Sequence, residues 1–183
     1  YWSPDGTKLF FSSSRNNADS DIWFAWLREA DWLKSEEDHE QGTYFEQDDE
    51  EKKNEDKNWV IDLENIHDRL VQVTSDPGNE SLGGTDAKGE YVYFTTQNTG
   101  SEDRGMYKVK WNGKDRKEVT KGGKNPYAIT AADAGKSLYY MSRGRLYQLT
   151  TANDKSEAVD FRLRMQIDYQ AEMNQMFEEA WSI

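Results

Sequence analysis

The chain has no cysteine, only three prolines and only two histidines in 183 residues. Without cysteine there is no disulfide, no thiol nucleophile and no thiolate metal site, and the redox compartment stays undecided. No apolar run approaches the ~18–20 residues of a membrane span. Positive charge is scarce: 23 Lys and Arg face 35 Asp and Glu, for a net charge of −12. That balance argues against nucleic acid or an anionic membrane as partner, because both require basic patches. Several catalytic signatures are also missing. There is no Gly-x-Ser-x-Gly elbow and no His-Glu-x-x-His. Gly83-Gly84 and Gly122-Gly123 lack the Lys-Ser/Thr of a phosphate loop and are expected to be turn glycines. No catalytic, cofactor-binding or metal-binding residue is assigned, and no cofactor is expected.

Aromatic residues are abundant instead, at 13% in a chain whose mean hydropathy is −1.05. Aromatics bury large areas and can build a core from few positions. Three stretches share one pattern: Gly6-Thr7-Lys8-Leu9-Phe10-Phe11, Gly89-Glu90-Tyr91-Val92-Tyr93-Phe94 and Gly135-Lys136-Ser137-Leu138-Tyr139-Tyr140. Each is followed by a second strand-like run, at Asp21–Leu27, Met106–Trp111 and Arg145–Leu149. Val92 to Leu138 spans 46 residues, close to the ~40–45 of a propeller blade. Leu9 to Val92 spans 83, one blade plus an insertion. The fold class is therefore all-β: a partial β-propeller of about three four-stranded antiparallel blades, followed by a C-terminal amphipathic helix.

Residues 1–161 are assigned to the blades. The insertion, about residues 28–57, carries eleven Asp or Glu and three Lys between Ser35 and Lys57. Such a run buries too little apolar surface to offset the entropy of ordering, and a solvated excursion between strands is expected. Trp59–Leu63 and Arg69–Thr74 are expected to rejoin the sheet as strands. The second blade is placed at Glu80–Thr85, Glu90–Thr96, Gly105–Trp111 and Lys117–Thr120. The third is placed at Pro126–Thr130, Ser137–Ser142, Arg145–Thr151 and Glu157–Phe161. Residues 162–183 are a linker and the first helix of a following domain. Met173, Met176, Phe177, Ala180 and Trp181 fall on one helical face there, with Asp168 as cap. The chain begins within a repeat and ends within a helical pattern, as expected of a segment of a longer protein.

The two histidines, His39 and His67, are expected to be surface or hydrogen-bonded residues rather than catalysts. Asp68-Arg69 is expected to be an ion pair or a backbone clamp. Asn79-Glu80-Ser81 matches a glycosylation sequon of the kind that occurs by chance.

Trp2-Ser3-Pro4-Asp5-Gly6-Thr7-Lys8-Leu9 resembles the WD40-like, TolB-type propeller repeat. Two further stretches resemble segments of the tricorn protease family. One is Ile61-Asp62-Leu63-Glu64-Asn65-Ile66-His67-Asp68-Arg69, with Asn65 where the family pattern has Gly. The other runs from Arg164 to Trp181, with Met173 where Trp is common. The resemblance implies the last blades of the second propeller plus the start of the next domain. This segment would be a non-catalytic scaffold and substrate-access channel of a serine peptidase whose nucleophile and histidine lie outside residues 1–183. Inner-strand residues near Glu80–Thr85 and Pro126–Thr130 would face the channel. Implied partners are peptide substrates, through the parent enzyme, and adjoining domains of the same chain. Unpaired sheet edges would favour self-association. The family resemblance implies a cytoplasmic location, and a periplasmic one is compatible with a missing N-terminus. Two alternatives stand beside it: a TolB-like propeller acting purely as a protein-binding module, and the propeller of a prolyl-oligopeptidase-like hydrolase.

Overall fold

The computed structural model describes residues 1–16, 18–39, 61–97, 103–120, 124–162, 164 and 168–181. They form three antiparallel sheets in chain order, arranged as successive blades of a partial propeller, followed by one long helix. The first sheet holds β1 (Lys8–Ser13), β2 (Asp21–Trp26) and β3 (Leu70–Gln72), in that order. The second holds β4 (Ser81–Thr85), β5 (Tyr91–Gln97), β6 (Arg104–Lys110) and β7 (Lys117–Glu118). The third holds β8 (Tyr127–Ala132), β9 (Ser137–Ser142), β10 (Arg145–Thr150) and β11 (Lys155–Ala158).

Each repeated hairpin forms where the pattern places it. Gly6, Gly89 and Gly135 all take positive φ, at 73°, 66° and 83°. A left-handed turn of this kind favours glycine, which has no Cβ to clash. At two of these positions tertiary contact adds a second reason. A Cβ on Gly89 would lie 3.0 Å from Ser3 Cβ, and one on Gly135 would lie 2.6 Å from the Asp86 carbonyl. Gly89 and Gly135 thus rest on the corresponding turn of the preceding blade.

Alternation along the central strands then builds two cores. In β5, Val92 and Phe94 face the first blade and join Phe10, Ile22, Phe24, Trp26, Val73 and Val109. Tyr93, between them in sequence, faces the third blade and joins Met106, Leu138, Tyr140 and Leu149. Period-two alternation puts successive side chains on opposite faces, so one strand serves both seams.

Four expectations need correction. Among the described residues the first blade's sheet has three strands rather than four, although Trp2 bridges Leu9 and Phe10 exchanges backbone hydrogen bonds with Tyr1 at 2.8 Å in each direction. Residues 61–63 form no strand, because their polar groups go elsewhere: Asp62 N–H donates to the Leu27 carbonyl, and the Asp62 carboxylate accepts from Glu29 N–H. Residues 59–60 lie outside the described residues. Gly83 and Gly84 are not turn glycines. They lie in β4 at a register shift, where a Cβ on Gly83 would meet the Ile129 side chain at 2.9 Å. The last strand of the third blade starts two residues before the expected position. A tight turn reverses the chain at Asn153-Asp154, with Asp154 at φ 56° and Lys155 N–H donating to Asn153 Oδ1.

The start of the acidic stretch is structured. α1 (Glu29–Trp32) is followed by a helical turn over residues 36–39. Ser35 opens that turn as a capping box: its N–H donates to Asp38 Oδ2 at 3.2 Å, and its Oγ accepts from Asp38 N–H at 3.1 Å. The remainder of the insertion, residues 40–57, falls outside the described residues. The C-terminal helix α2 (Tyr169–Trp181) forms as expected, with Asp168 Oδ1 accepting from Gln170 and Ala171 N–H.

Candidate functional site

The seam between the first two blades carries the unusual chemistry. Its apolar middle is capped by ionisable groups at both ends, because β1 and β2 pair from Lys8–Trp26 to Ser13–Asp21. At the first end the Lys8 ammonium is buried. It lies 4.7 Å from the Trp26 ring and 5.7 Å from Trp111, and it donates to Thr7 Oγ1 at 3.0 Å. Burial pushes its pKa down, and nearby Asp5 opposes that without reversing it. His39 closes the box. Its ring stacks on Trp26 at 4.6 Å and meets Trp111 edge-on at 5.3 Å, and its Nε2–H donates to the Asp31 carbonyl at 2.9 Å. Burial, reinforced by the Lys8 charge, holds the His39 pKa below its ordinary value. Glu36 adds an ion pair to Lys114 of the second blade at 2.6 Å. The segment 28–39 therefore straddles the seam.

At the other end two carboxyl groups are buried together. Asp21 is 1% exposed and Glu80 is 2% exposed. Asp21 Oδ2 accepts from Gln72 Nε2 at 2.8 Å, and Glu80 Oε2 accepts from Thr74 Oγ1 at 3.1 Å. Asp21 Oδ1 and Glu80 Oε1 are buried without a partner. Burial, with the Asp21 charge beside it, pushes the Glu80 carboxyl up to about 7. Above this end lies a cleft of about 370 Å³, lined by Asp76, Pro77, Thr96, Gln97, Arg116 and their neighbours. Arg116 pairs with Asp76, and its guanidinium lies over Tyr107 at 4.8 Å.

The second seam is tyrosine-rich and closed by an ion network. Asp154 accepts from Lys108 Nζ at 2.8 Å and from Lys117 Nζ at 3.0 Å, tying the second blade to the third. Burial raises the Asp154 pKa, but the two lysine hydrogen bonds outweigh it and hold the group below its usual value. Burial keeps the Tyr93 phenol neutral, its pKa far above the ordinary value.

Of the two expectations for Asp68-Arg69, an ion pair or a backbone clamp, Arg69 takes the second and is buried as a backbone clamp. It donates to the carbonyls of Asp62 and Glu64, and its nearest carboxylate is Asp62 at 3.9 Å. Asp68 contacts His67 at 3.3 Å on the exposed side, and His67 stands apart from both seams. Asn65 sits at φ 52°, the left-handed conformation that Asn tolerates next best after Gly. In the sequon, the Asn79 side-chain carbonyl accepts from Ser20 N–H at 2.9 Å.

One signal escaped the sequence reading. Val73-Thr74 and Val119-Thr120 are structural equivalents. Both valine N–H groups donate to a facing carbonyl at 2.8 Å, of Ile22 and of Met106, and both threonine hydroxyls accept from those same residues' N–H. The paired Val-Thr ends two blades, and in the first of them it also carries the hydroxyl that holds Glu80.

Among the described residues no three His, Cys, Asp or Glu side chains gather as a metal site, and no helix is long and apolar enough to cross a membrane. No family model matches the chain, and no curated protein matches it. Solved structures do. TolB from Agrobacterium tumefaciens aligns with a TM-score of 0.54 at 13% identity, over 86% of this chain and 46% of that one. TolB from Acinetobacter baumannii aligns with a TM-score of 0.52 at 17% identity, over 88% and 31%. The tricorn protease aligns with a TM-score of 0.45 at 17% identity, over 55% and 9%. This chain spans less than half the length of each of these structures. At such identities the TolB likenesses establish the architecture alone: the chain folds as part of a β-propeller.

Proposed function

We propose that this chain is a propeller scaffold that works by binding protein, as in the TolB-like reading, with the apolar face of α2 as its docking element. The carrying observation is the exposure of that face: Met173 67%, Met176 64%, Phe177 67% and Trp181 81%. A 13-residue helix alone is marginal in water, and most helical stability comes from packing an apolar stripe. Four large side chains aligned on one capped helix therefore suit the groove of a folded domain, whether in a longer form of this protein or in a separate one. Methionine adapts its shape to such grooves. The opposite face is satisfied locally, with Gln175 donating to Glu179 at 2.8 Å.

The test is a photo-reactive residue placed at Phe177 or at Gln175 in the full-length protein, in cells that make it. A discrete crosslink to a folded domain from position 177 and none from 175 is the expected result. Equal crosslinking from both, or none from either, would contradict the reading.

A second reading, the tricorn-like scaffold and substrate-access segment, is favoured by Asn65 and Arg69. The family pattern has Gly at the position of Asn65, and here that position takes φ 52° while Arg69 clamps the same loop. It predicts that the full-length protein hydrolyses fluorogenic peptides while residues 1–183 alone do not. An inactive full-length protein would count against it.

A further inference from the structure

We propose that Asp21 and Glu80 share a single proton across the seam between the first and second blades, and that loss of this proton loosens the seam beneath the Arg116 cleft. Each carboxyl group has one oxygen held by a neutral donor, Gln72 for Asp21 and Thr74 for Glu80. Each has a second oxygen that is buried and lacks a partner. A buried polar atom without a partner costs the full desolvation of that group. One proton placed between the two free oxygens satisfies both at once and removes one of two like charges. Two carboxyls sharing a site resolve their repulsion in this way, by retaining a proton on one of them.

The surroundings offer little other compensation. From the first blade the pair is faced by Gln72 and Thr74, both neutral. From the second blade the charged neighbour is Arg116, which is already engaged by Asp76 and sits in the cleft wall. The elevated Glu80 pKa has the same origin: burial first, with Asp21 adding to it. The pair is also placed to act. Glu80 N–H donates to the Ser20 carbonyl at 2.7 Å, and Gly78 N–H donates to Asp19 at 3.1 Å, so the connection from β3 to β4 is pinned onto the first blade at this point. That same connection supplies Asp76 and Pro77 to the cleft. Two bare carboxylates here would push the connection away from β2 and unsettle the cleft edge.

The sign follows from linkage. Glu80 is raised above its unfolded value, so its contribution is complete below about pH 4.5 and is lost as pH rises through about 7. The thermal midpoint of the chain should therefore fall by about 5 °C between pH 6 and pH 8. Glu80→Gln supplies an amide N–H in place of the proton, so its midpoint should be flat over that range and exceed the wild type at pH 8. An infrared band or a Glu carboxyl carbon resonance of a protonated acid at neutral pH, vanishing by pH 8, reads the proton directly in the unmodified chain and does not depend on the variant folding. Three results would overturn the proposal: a wild-type midpoint that is flat across this range, absence of the protonated-acid signal, or full recovery of the pH 8 midpoint by millimolar calcium. The last would make the pair a cation site instead.

Discussion

The two seams of this propeller segment are built by one repeat and yet hold together differently. The first joins Phe10, Phe24 and Trp26 to Val92 and Phe94 and is bounded by ionisable groups, buried Lys8 with half-buried His39 at one end and buried Asp21 with Glu80 at the other. The second joins Tyr93 and Tyr140 to Met106, Leu138 and Leu149, and is tied ionically by the lysine–aspartate network at Asp154. Their apolar centres are interchangeable in kind. What separates them is the fate of the polar ends. In the second seam every tyrosine hydroxyl in the buried cluster has a partner: Tyr93 donates to Asp154 and Tyr140 meets Ser156 at 2.6 Å. In the first seam two carboxylate oxygens have none. A repeat can thus keep its packing while the joint that responds to pH near neutrality is the first, the second responding in acid through Asp154.

The comparison can be broken most severely at the core. Phe24 touches Phe10, Trp26 and Trp111, and Phe24→Ala should cost about 3–5 kcal/mol in urea unfolding, removing most of the first seam's cohesion. Gly135→Ala tests the second seam through the backbone. Its φ of 83° and the 2.6 Å approach to the Asp86 carbonyl should make it cost about 2–3 kcal/mol. Gly144 has a similar φ of 75° but nothing within 4 Å, so Gly144→Ala should cost only about 1 kcal/mol in the same assay. Equal losses would mean that blade contact is not what selects Gly135.

Electrostatic changes at Asp154 and His39 should be smaller, and both run opposite in sign to Glu80, with stability lost as pH falls. Asp154 is held below its usual pKa, so its contribution is present above about pH 4 and is lost as pH falls through the depressed folded value. Asp154→Asn should flatten that acid limb and cost about 1 kcal/mol at neutral pH, measured by denaturant titration. His39 docks uncharged. Its contribution is complete above its ordinary pKa of 6.5 and is lost as pH falls below that. His39→Phe keeps a ring on Trp26 without a titration, so tryptophan fluorescence should change between pH 7 and pH 5 in the wild type and stay constant in the variant.

The contrast also explains what could be seen in advance. The three hairpins were legible because a turn glycine and period-two alternation are local signals, and β1, β2, β5, β6, β9 and β10 fall where those signals put them. The glycine pair at 83–84 misled because its cause is non-local. β4 needs room for Ile129, Ala131 and Leu138 of the next blade, and no neighbour in sequence announces that. Order in residues 28–39 was hidden for the same reason. It depends on His39 reaching Trp26 and Trp111, and on Glu36 reaching Lys114, against a composition that favours solvation. The carboxyl pair joins residues 59 positions apart, and only the fold shows that Asp21 and Glu80 meet.

Because the chain has no cysteine, single labels can be placed at will. Spin labels at exposed Ser14 and Arg104 report the first seam, and labels at Arg104 and Arg145 report the second. Electron–electron distance distributions for the two pairs at pH 6 and pH 8 test the difference between the seams most directly. The Ser14–Arg104 distribution should broaden at pH 8 while the Arg104–Arg145 distribution stays fixed. Distributions that both remain unchanged, or that both broaden together, would contradict a titrating first seam beside a silent second one.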